Sequence, residues 1–413
     1  MVNKINKDYI LKKVCYASII CFVLVLLIAY GFIANGFTNA LSGKLLFSDF
    51  AETLSYCIAK NPYNGESGIR SIYPPFAYLP FYPFALICKG PLQDMLDGNI
   101  ALSEMYSNGL FVFSYILYFV INLGLILYFV AKLSKLKGKN LTCLLITISC
   151  FGPILYVFLR ANVIITACLF TLMFFYFYNS ESKWKREIAN ICLAGAIAVK
   201  IYPALICVYF LKDKRFKDLG KTILYAFLLL FLPFALIDEG FGNINHIWNN
   251  FTVFNSGQGR EGDVSNISLH SLLYKFIGGL GGLFGIVSPL LRHGMVVMAI
   301  VILLLSKRTN KIMQCMLVSL GVYALWQGVS YAYTMTYILI PLILYFNNFD
   351  EFNNFDKWYY GICYALIGCS VFYVFGYFTL QSIALTAIVV KSFIDLIKDI
   401  SKNKKENIVQ KKA

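Results

Sequence analysis

The chain has 413 residues, 59% of them hydrophobic and only 14% charged, with a mean hydropathy of +0.68; a soluble globular chain carries about 25% charged residues, so a soluble domain is excluded. The net charge of +15 does not read as a nucleic-acid partner, because the basic residues form short clusters between apolar runs, not a basic face with base-stacking groups. The twelve cysteines contain no CxxC pair and sit mostly inside apolar runs, where cysteine packs as a small hydrophobe, and His246, His270 and His293 are too dispersed for a metal motif.

Apolar runs of roughly 16–24 residues recur along the chain, each long enough to cross a hydrocarbon core of about 30 Å as a helix. The fold class is therefore an all-α polytopic membrane protein, one transmembrane domain over residues 1–413, with about twelve spans. The alternating pattern of a membrane β-barrel is absent. The first run, 14–34, follows Lys4, Lys7, Lys12 and Lys13. It exceeds a signal-peptide core of about 7–15 residues, so it reads as an uncleaved span despite a cleavage-like Thr38-Asn39-Ala40. Basic clusters at 132–139, 183–186, 212–221, 307–311 and the 398–413 tail belong inside by the positive-inside rule.

That assignment places residues 35–107 outside as a first external loop. The apolar stretch Tyr73–Cys88 then lies at the interface, in keeping with Pro74, Pro75, Pro80 and Pro83, since proline interrupts helical hydrogen bonding. The alternative, that it spans, would put Lys132–Lys139 outside. Spans are expected at 108–131, 141–158 and 163–178, with Arg160-Ala161-Asn162 at an outer turn. The stretch 188–211 has basic flanks at both ends and must leave and return. It is expected to be a helix broken at Lys200-Ile201-Tyr202-Pro203, a backbone tolerated at depth only under protein or water. A span at 222–237 leads to a second external loop, 238–271. Residues 272–290 are glycine-rich and ambiguous. Spans at 312–329 and 332–346 meet in an outer tip near Ser330, and 358–375 and 378–397 end the chain inside.

This threading gathers the unusual polar residues on one face: Asp49, Glu52, Arg70, Tyr73, Arg160, Asn162, Lys200, Asn266, Ser268, His270, Ser330, Tyr331 and Tyr333. Taken singly, most have a plain reading. Asp49 and Glu52 are solvated loop carboxylates or a helix cap, Arg160 is a snorkelling flank, and His270 is an interfacial residue. Lys200, deep in an apolar run, is harder to explain that way, and ionisable groups at membrane depth are functional candidates by default. One carboxylate among several cations suits reaction at a phosphorylated lipid. The aspartate accepts a proton from an attacking hydroxyl, and the cations stabilise a phosphate leaving group.

Several short segments, in order, resemble glycosyltransferase family 87. They are Ser48-Asp49-Phe50, Asn61-Pro62-Tyr63, Tyr73-Pro74-Pro75-Phe76, Leu159-Arg160-Ala161-Asn162-Val163, Lys200-Ile201-Tyr202-Pro203, Asn266-Ile267-Ser268-Leu269 with Leu273, and Ser330-Tyr331-Ala332-Tyr333 running into Pro341. The last stands in the place of an S-W-x-H-H segment but lacks its histidines, and the arginine segment lacks the glutamine of RGQxN. The resemblance implies a C-type glycosyltransferase architecture with an outer-face pocket. It implies inverting transfer of a hexose or pentose, mannosyltransferase-like, from a polyprenyl-phosphate sugar to a lipid-linked or cell-surface glycan. Asp49 is then the catalytic base, and Arg160 and Lys200 hold the donor phosphate. Glu52, Arg70, Tyr73, Asn162, Asn266, Ser268, His270, Tyr331 and Tyr333 line the pocket. No cofactor or metal is expected; the partners are the donor, a glycan or glycolipid acceptor and membrane lipids, at a bacterial inner or plasma membrane. The rival readings are a flippase or transporter, which favours polar groups on both faces and an internal repeat, and a glycan polymerase with its arginines in later loops.

Overall fold

A computed structural model of the chain describes residues 6–34, 48–65, 70–100, 102–105, 107–255, 263, 266–306, 311–371 and 378–412. The cleavage-like Thr38-Asn39-Ala40, the exit of the first span near Asn35, and Lys307 and Arg308 lie outside these. Among the described residues every regular element is helical, and the one β-type pairing is an isolated bridge between Asn266 and Tyr331.

The helices, in chain order, are α1 (Lys7–Ala34), α2 (Ser48–Ile58), α3 (Tyr82–Ile87), α4 (Lys89–Leu96), α5 (Leu102–Met105), α6 (Gly109–Leu133), α7 (Gly138–Ser149), α8 (Gly152–Arg160), α9 (Ile164–Tyr178) and α10 (Lys183–Val199). They continue as α11 (Val208–Lys212), α12 (Phe216–Phe231), α13 (Asn243–Asn255), α14 (Leu269–Ile277), α15 (Gly281–Leu305), α16 (Ile312–Trp326), α17 (Leu339–Asn347), α18 (Asn354–Gly368) and α19 (Thr379–Lys412). Short 3-10 turns at Pro75–Phe81, Tyr202–Cys207 and Ala332–Ile338 precede α3, α11 and α17.

Four stretches among the described residues are long and apolar enough to cross a membrane: Gly109–Leu133, Phe216–Leu236, Leu269–Leu305 and Thr379–Asn403. The pair α7 and α8, bent by 42°, makes a fifth if taken as one span. That is fewer than the twelve or so that apolar length suggested, because several apolar runs are broken. Pro153 near the start of α8 has no N–H to continue the α7 ladder, which accounts for the bend. Pro203 likewise cannot bond the Val199 carbonyl, so α10 stops at Lys200, whose backbone is extended (φ −147°, ψ 122°), and the chain resumes as a 3-10 turn. Tyr73–Cys88 forms a 3-10 turn and the six-residue α3, too short to span. The glycine-rich 272–290 resolves into α14 and α15, joined by a 3-10 turn at Gly278–Leu280.

The long helices bury one side and leave the other apolar and exposed. In α6, Asn108 caps the first turn by accepting from the Phe111 N–H at 3.1 Å. Tyr115, Tyr118 and Ile126 are buried, while Phe113, Val120 and Tyr128 are exposed. A helix apolar all round is one that meets lipid or core on every side. The centre is α16, buried at every residue from Met313 to Leu325. Gly321 lets Val389 of α19 sit directly against its backbone, the close approach that small residues permit between membrane helices.

Two sets of contacts hold α2 and its loop. Phe50 lies among Phe81, Phe84, Phe111, Tyr115 and Tyr118, with ring centroids between 5.5 and 6.4 Å away. The Asn61 side chain donates to the Asp238 carbonyl, Glu239 Oε1 and Asn243 Oδ1 at 3.1, 3.0 and 2.8 Å. Buried Tyr63, Tyr78 and Phe234 pack together beside it. The described parts of the segments expected as first and second external loops therefore pack against each other.

Candidate active site

The site is assembled on one carboxylate. Asp49 lies in the first turn of α2 and is 8% exposed. Arg160 Nη2 donates to Asp49 Oδ1 at 2.6 Å, and Asn162 Nδ2 donates to Asp49 Oδ2 at 2.6 Å. These two donors flank Ala161, which ends α8 in the left-handed conformation at φ 56°. The reversal turns the chain from α8 into α9. Asn162 then accepts from the Ile164 N–H at 3.0 Å, serving an otherwise unpaired donor at the start of α9. Charge-assisted bonds this short fix the orientation of the carboxylate.

Asn162 also donates to the Tyr73 hydroxyl at 3.3 Å. Tyr73 is pinned through its backbone: its carbonyl accepts from Tyr63 and Tyr78 at 3.0 and 3.1 Å, and its N–H donates to Ser71 Oγ at 3.0 Å. Its ring faces the buried Lys200, whose Nζ is 4.3 Å from the centroid. Tyr202 and Tyr333 stand around the same ammonium, each at 5.6 Å. No hydrogen bond or ion pair joins Lys200 Nζ to another described residue. Aromatic faces attract a cation but accept no proton, so this buried ammonium keeps its hydrogen-bonding capacity. Arg160 does so in part: its guanidinium lies 5.9 Å from the Tyr331 ring, and its buried Nε has no partner among the described residues.

Tyr333 is held by stacking on Tyr156 at 6.2 Å. Tyr331 is placed by a clip built on Asn266. The Asn266 amide donates to the Gly328 carbonyl at 3.0 Å, and its Oδ1 accepts from the Ser268 and Ser330 N–H groups at 3.1 and 3.0 Å. Ser268 Oγ adds a bond to the Gly328 carbonyl at 3.1 Å and accepts from the Ser271 N–H at 3.1 Å, capping α14. Asn266 and Ser268 thus act on the site through the loop that carries Tyr331.

Glu52 lies one turn beyond Asp49 on α2, and solvent reaches its side chain. Surrounding protein and then the Asp49 charge push its carboxyl up, to about 7, against a smaller opposing pull from Arg160. The remaining two expected residues stand elsewhere. Arg70 is exposed and lies close to Gly65. His270 meets Ser288 Oγ at 2.7 Å and the Phe284 ring at 4.9 Å, in the seam between α14 and α15.

Three further residues complete the site. Tyr202 lies against Lys200, stacks on Tyr323 at 3.9 Å and donates to Gln327 Oε1 at 2.7 Å. Tyr156 supports Tyr333. Both were within reach of sequence reasoning: Tyr202 is inside Lys200-Ile201-Tyr202-Pro203, and Tyr156 lies one helical turn before Arg160, on the same face. Gln327 carried no such signal.

The model of glycosyltransferase family 87 matches residues 72–326, well over half of the chain. That range holds Tyr73, Arg160, Asn162, Lys200 and Asn266; Asp49, Tyr331 and Tyr333 lie beyond it and join the site through the contacts described above. No curated protein matches the chain. With its long apolar helices and an extended match, the chain is a membrane protein and belongs to glycosyltransferase family 87.

Proposed function

We propose that the protein transfers a sugar from a polyprenyl-phosphate donor to a lipid-linked or cell-surface glycan, at the outer face of a bacterial inner or plasma membrane, with inversion at the anomeric carbon. The observation that supports this most is a carboxylate gripped by Arg160 and Asn162 beside a buried, acceptor-free ammonium at Lys200. An acceptor hydroxyl attacks the anomeric carbon on the side away from the phosphate. The new C–O bond forms as the bond to the phosphate oxygen breaks, and the electron pair leaves with the lipid phosphate. Asp49 takes the hydroxyl proton. Lys200 and the Arg160 Nε meet the charge gathering on the phosphate. The leaving group needs no separate acid, and the two cations supply the positive charge, so the transfer as written asks for no metal or cofactor. Tyr73, Tyr331 and Tyr333 shape the walls, Glu52 stands beside them where solvent reaches, and the loops expected at 35–107 and 238–271 lie on the external side.

The test is transfer of radiolabelled sugar from polyprenyl-phosphate donors by the purified protein, with membrane lipid extracts as acceptors, beside Asp49→Asn. We expect transfer by the wild type and a loss of about 100-fold to 10,000-fold in the variant, the range of a general base, with unchanged elution on gel filtration. Equal transfer by both proteins would remove Asp49 from the base role. Absence of transfer from every donor, with passage of lipid-linked glycan across liposomes, would replace the transferase reading with a flippase.

A further inference from the structure

A second charged recess lies at the opposite end of α16 from the Asp49 site. It encloses about 500 Å³ among Lys311, Asp356, Lys391, Asp395, Lys398 and their neighbours. Lys311 heads α16, whose other end leads directly into Gln327–Tyr333 at the candidate active site. The fifteen residues of α16 separate the two places by about 22 Å at 1.5 Å per residue. None of the side chains lining the recess belongs to the Asp49 site.

The donors and acceptors in the recess do not balance. Lys391 binds Asp395 at 2.6 Å and Asp356 at 2.8 Å. Asp395 also accepts from the Tyr360 hydroxyl at 3.0 Å, and Asp356 from the Asn353 amide at 2.9 Å. Asp399 accepts from Asn403 at 3.1 Å. Each of these carboxylates is thus served by the protein itself. The ammoniums of Lys311 and Lys398 have no acceptor among the described residues, and Lys402 adds further positive charge at the rim. With its acids satisfied and two of its lysines, Lys311 and Lys398, left without an acceptor, the recess suits a ligand rich in acceptors and negatively charged.

The surroundings identify the source of that anion. Phe355 and Trp358 beside the recess are 67% and 49% exposed, and Ile394 and Ile397, just before Lys398 on α19, are 43% and 44% exposed. Exposed aromatic and aliphatic side chains next to lysines are the composition of a membrane–water boundary. The sequence continues with Lys404, Lys405, Lys411 and Lys412, a juxtamembrane basic run of the kind drawn to anionic lipid. We propose that this recess binds the phosphate headgroup of an anionic phospholipid, with Lys311 and Lys398 as its direct ligands and the acyl chains against Trp358, Ile394 and Ile397. The assignment does not depend on the sugar-transfer reading.

The experiment is native mass spectrometry of the full-length protein in detergent, titrated with phosphatidylglycerol or phosphatidylcholine, beside the double variant Lys311→Gln/Lys398→Gln and its arginine counterpart. We expect preferential binding of phosphatidylglycerol. The glutamine pair should weaken it by about 25-fold, from about fivefold per lysine near a charged lipid surface, and the arginine pair should retain it. Phosphatidylcholine binding should not change. Equal binding of the two lipids by the wild type, or full phosphatidylglycerol affinity in the glutamine pair, would overturn the proposal. Lysine-dependent binding of inorganic phosphate without preference for the anionic lipid would also overturn it, moving the recess to a free anion.

Discussion

Arg160 and Asp49 meet at 2.6 Å although 111 residues separate them in the chain. With side chains 21% and 10% exposed, the pair is shielded enough that losing one partner strands the other. Breaking a buried pair from one side costs about 3–5 kcal/mol. Arg160→Met should therefore lower thermal stability in detergent clearly, and the double variant Asp49→Asn/Arg160→Met should recover part of that loss. A double-mutant cycle with no coupling would show that the contact contributes nothing to the fold.

Lys200 separates stability from activity. Its ammonium is buried among three tyrosine rings, and burial of an unpaired charge is unfavourable. Lys200→Met should leave the melting temperature unchanged or raise it. If Lys200 faces the donor phosphate, transfer should fall about 100-fold or more, the loss seen when one charge-stabilising donor is removed. Tyr73→Phe, which keeps the ring but not the hydroxyl that Asn162 meets, should be far milder. Kinetics and melting curves on the same preparations check both.

Glu52 predicts a pH dependence. Its carboxyl is raised from 4.5 to about 7 in the folded protein. The folded state therefore holds a proton that the unfolded chain has lost across that interval, and stability falls as pH rises through it. Melting temperatures of the wild type should decline between those two values, and Glu52→Gln should flatten that part of the profile. A decline of the same size in the variant would assign it to other groups.

Asn266→Ala removes three bonds, two to Gly328 and Ser330 and one to Ser268 at the start of α14. Leaving buried partners unsatisfied costs about 1–3 kcal/mol. The effect on transfer should come through Tyr331, as a lower rate with an unaltered pH profile. Asn266→Asp, which keeps the oxygen acceptor, should restore part of both.

Much of the architecture is legible in the chain. The break at Lys200 follows from a proline three residues on, and α6 and α19 follow from apolar length. The number of spans does not, because hydropathy counts apolar residues and cannot tell a continuous helix from one bent at Pro153. At the site, Lys200 is visible as an ionisable residue deep in an apolar run, and Asp49, Arg160 and Asn162, each with a plain reading taken singly, stand out by sharing its predicted face. Their bonding is not visible, since it depends on loops that meet only after the helices pack. His270 and Arg70 show the converse: both share a predicted face with the others, yet a face is wide enough to include the α14–α15 seam and an exposed loop.

The left-handed conformation of Ala161 has a mechanical consequence. It makes α8 and α9 two rigid rods with one joint, and Arg160 and Asn162 are the tips nearest that joint. Each tip holds a different oxygen of the same carboxylate, so Asp49 is a tie bar across the hinge. Any change in the angle between the rods must stretch one tie or the other. A glycine at 161 would suit the dihedral better than alanine, yet it would slacken the joint that the tie bar holds at a set angle.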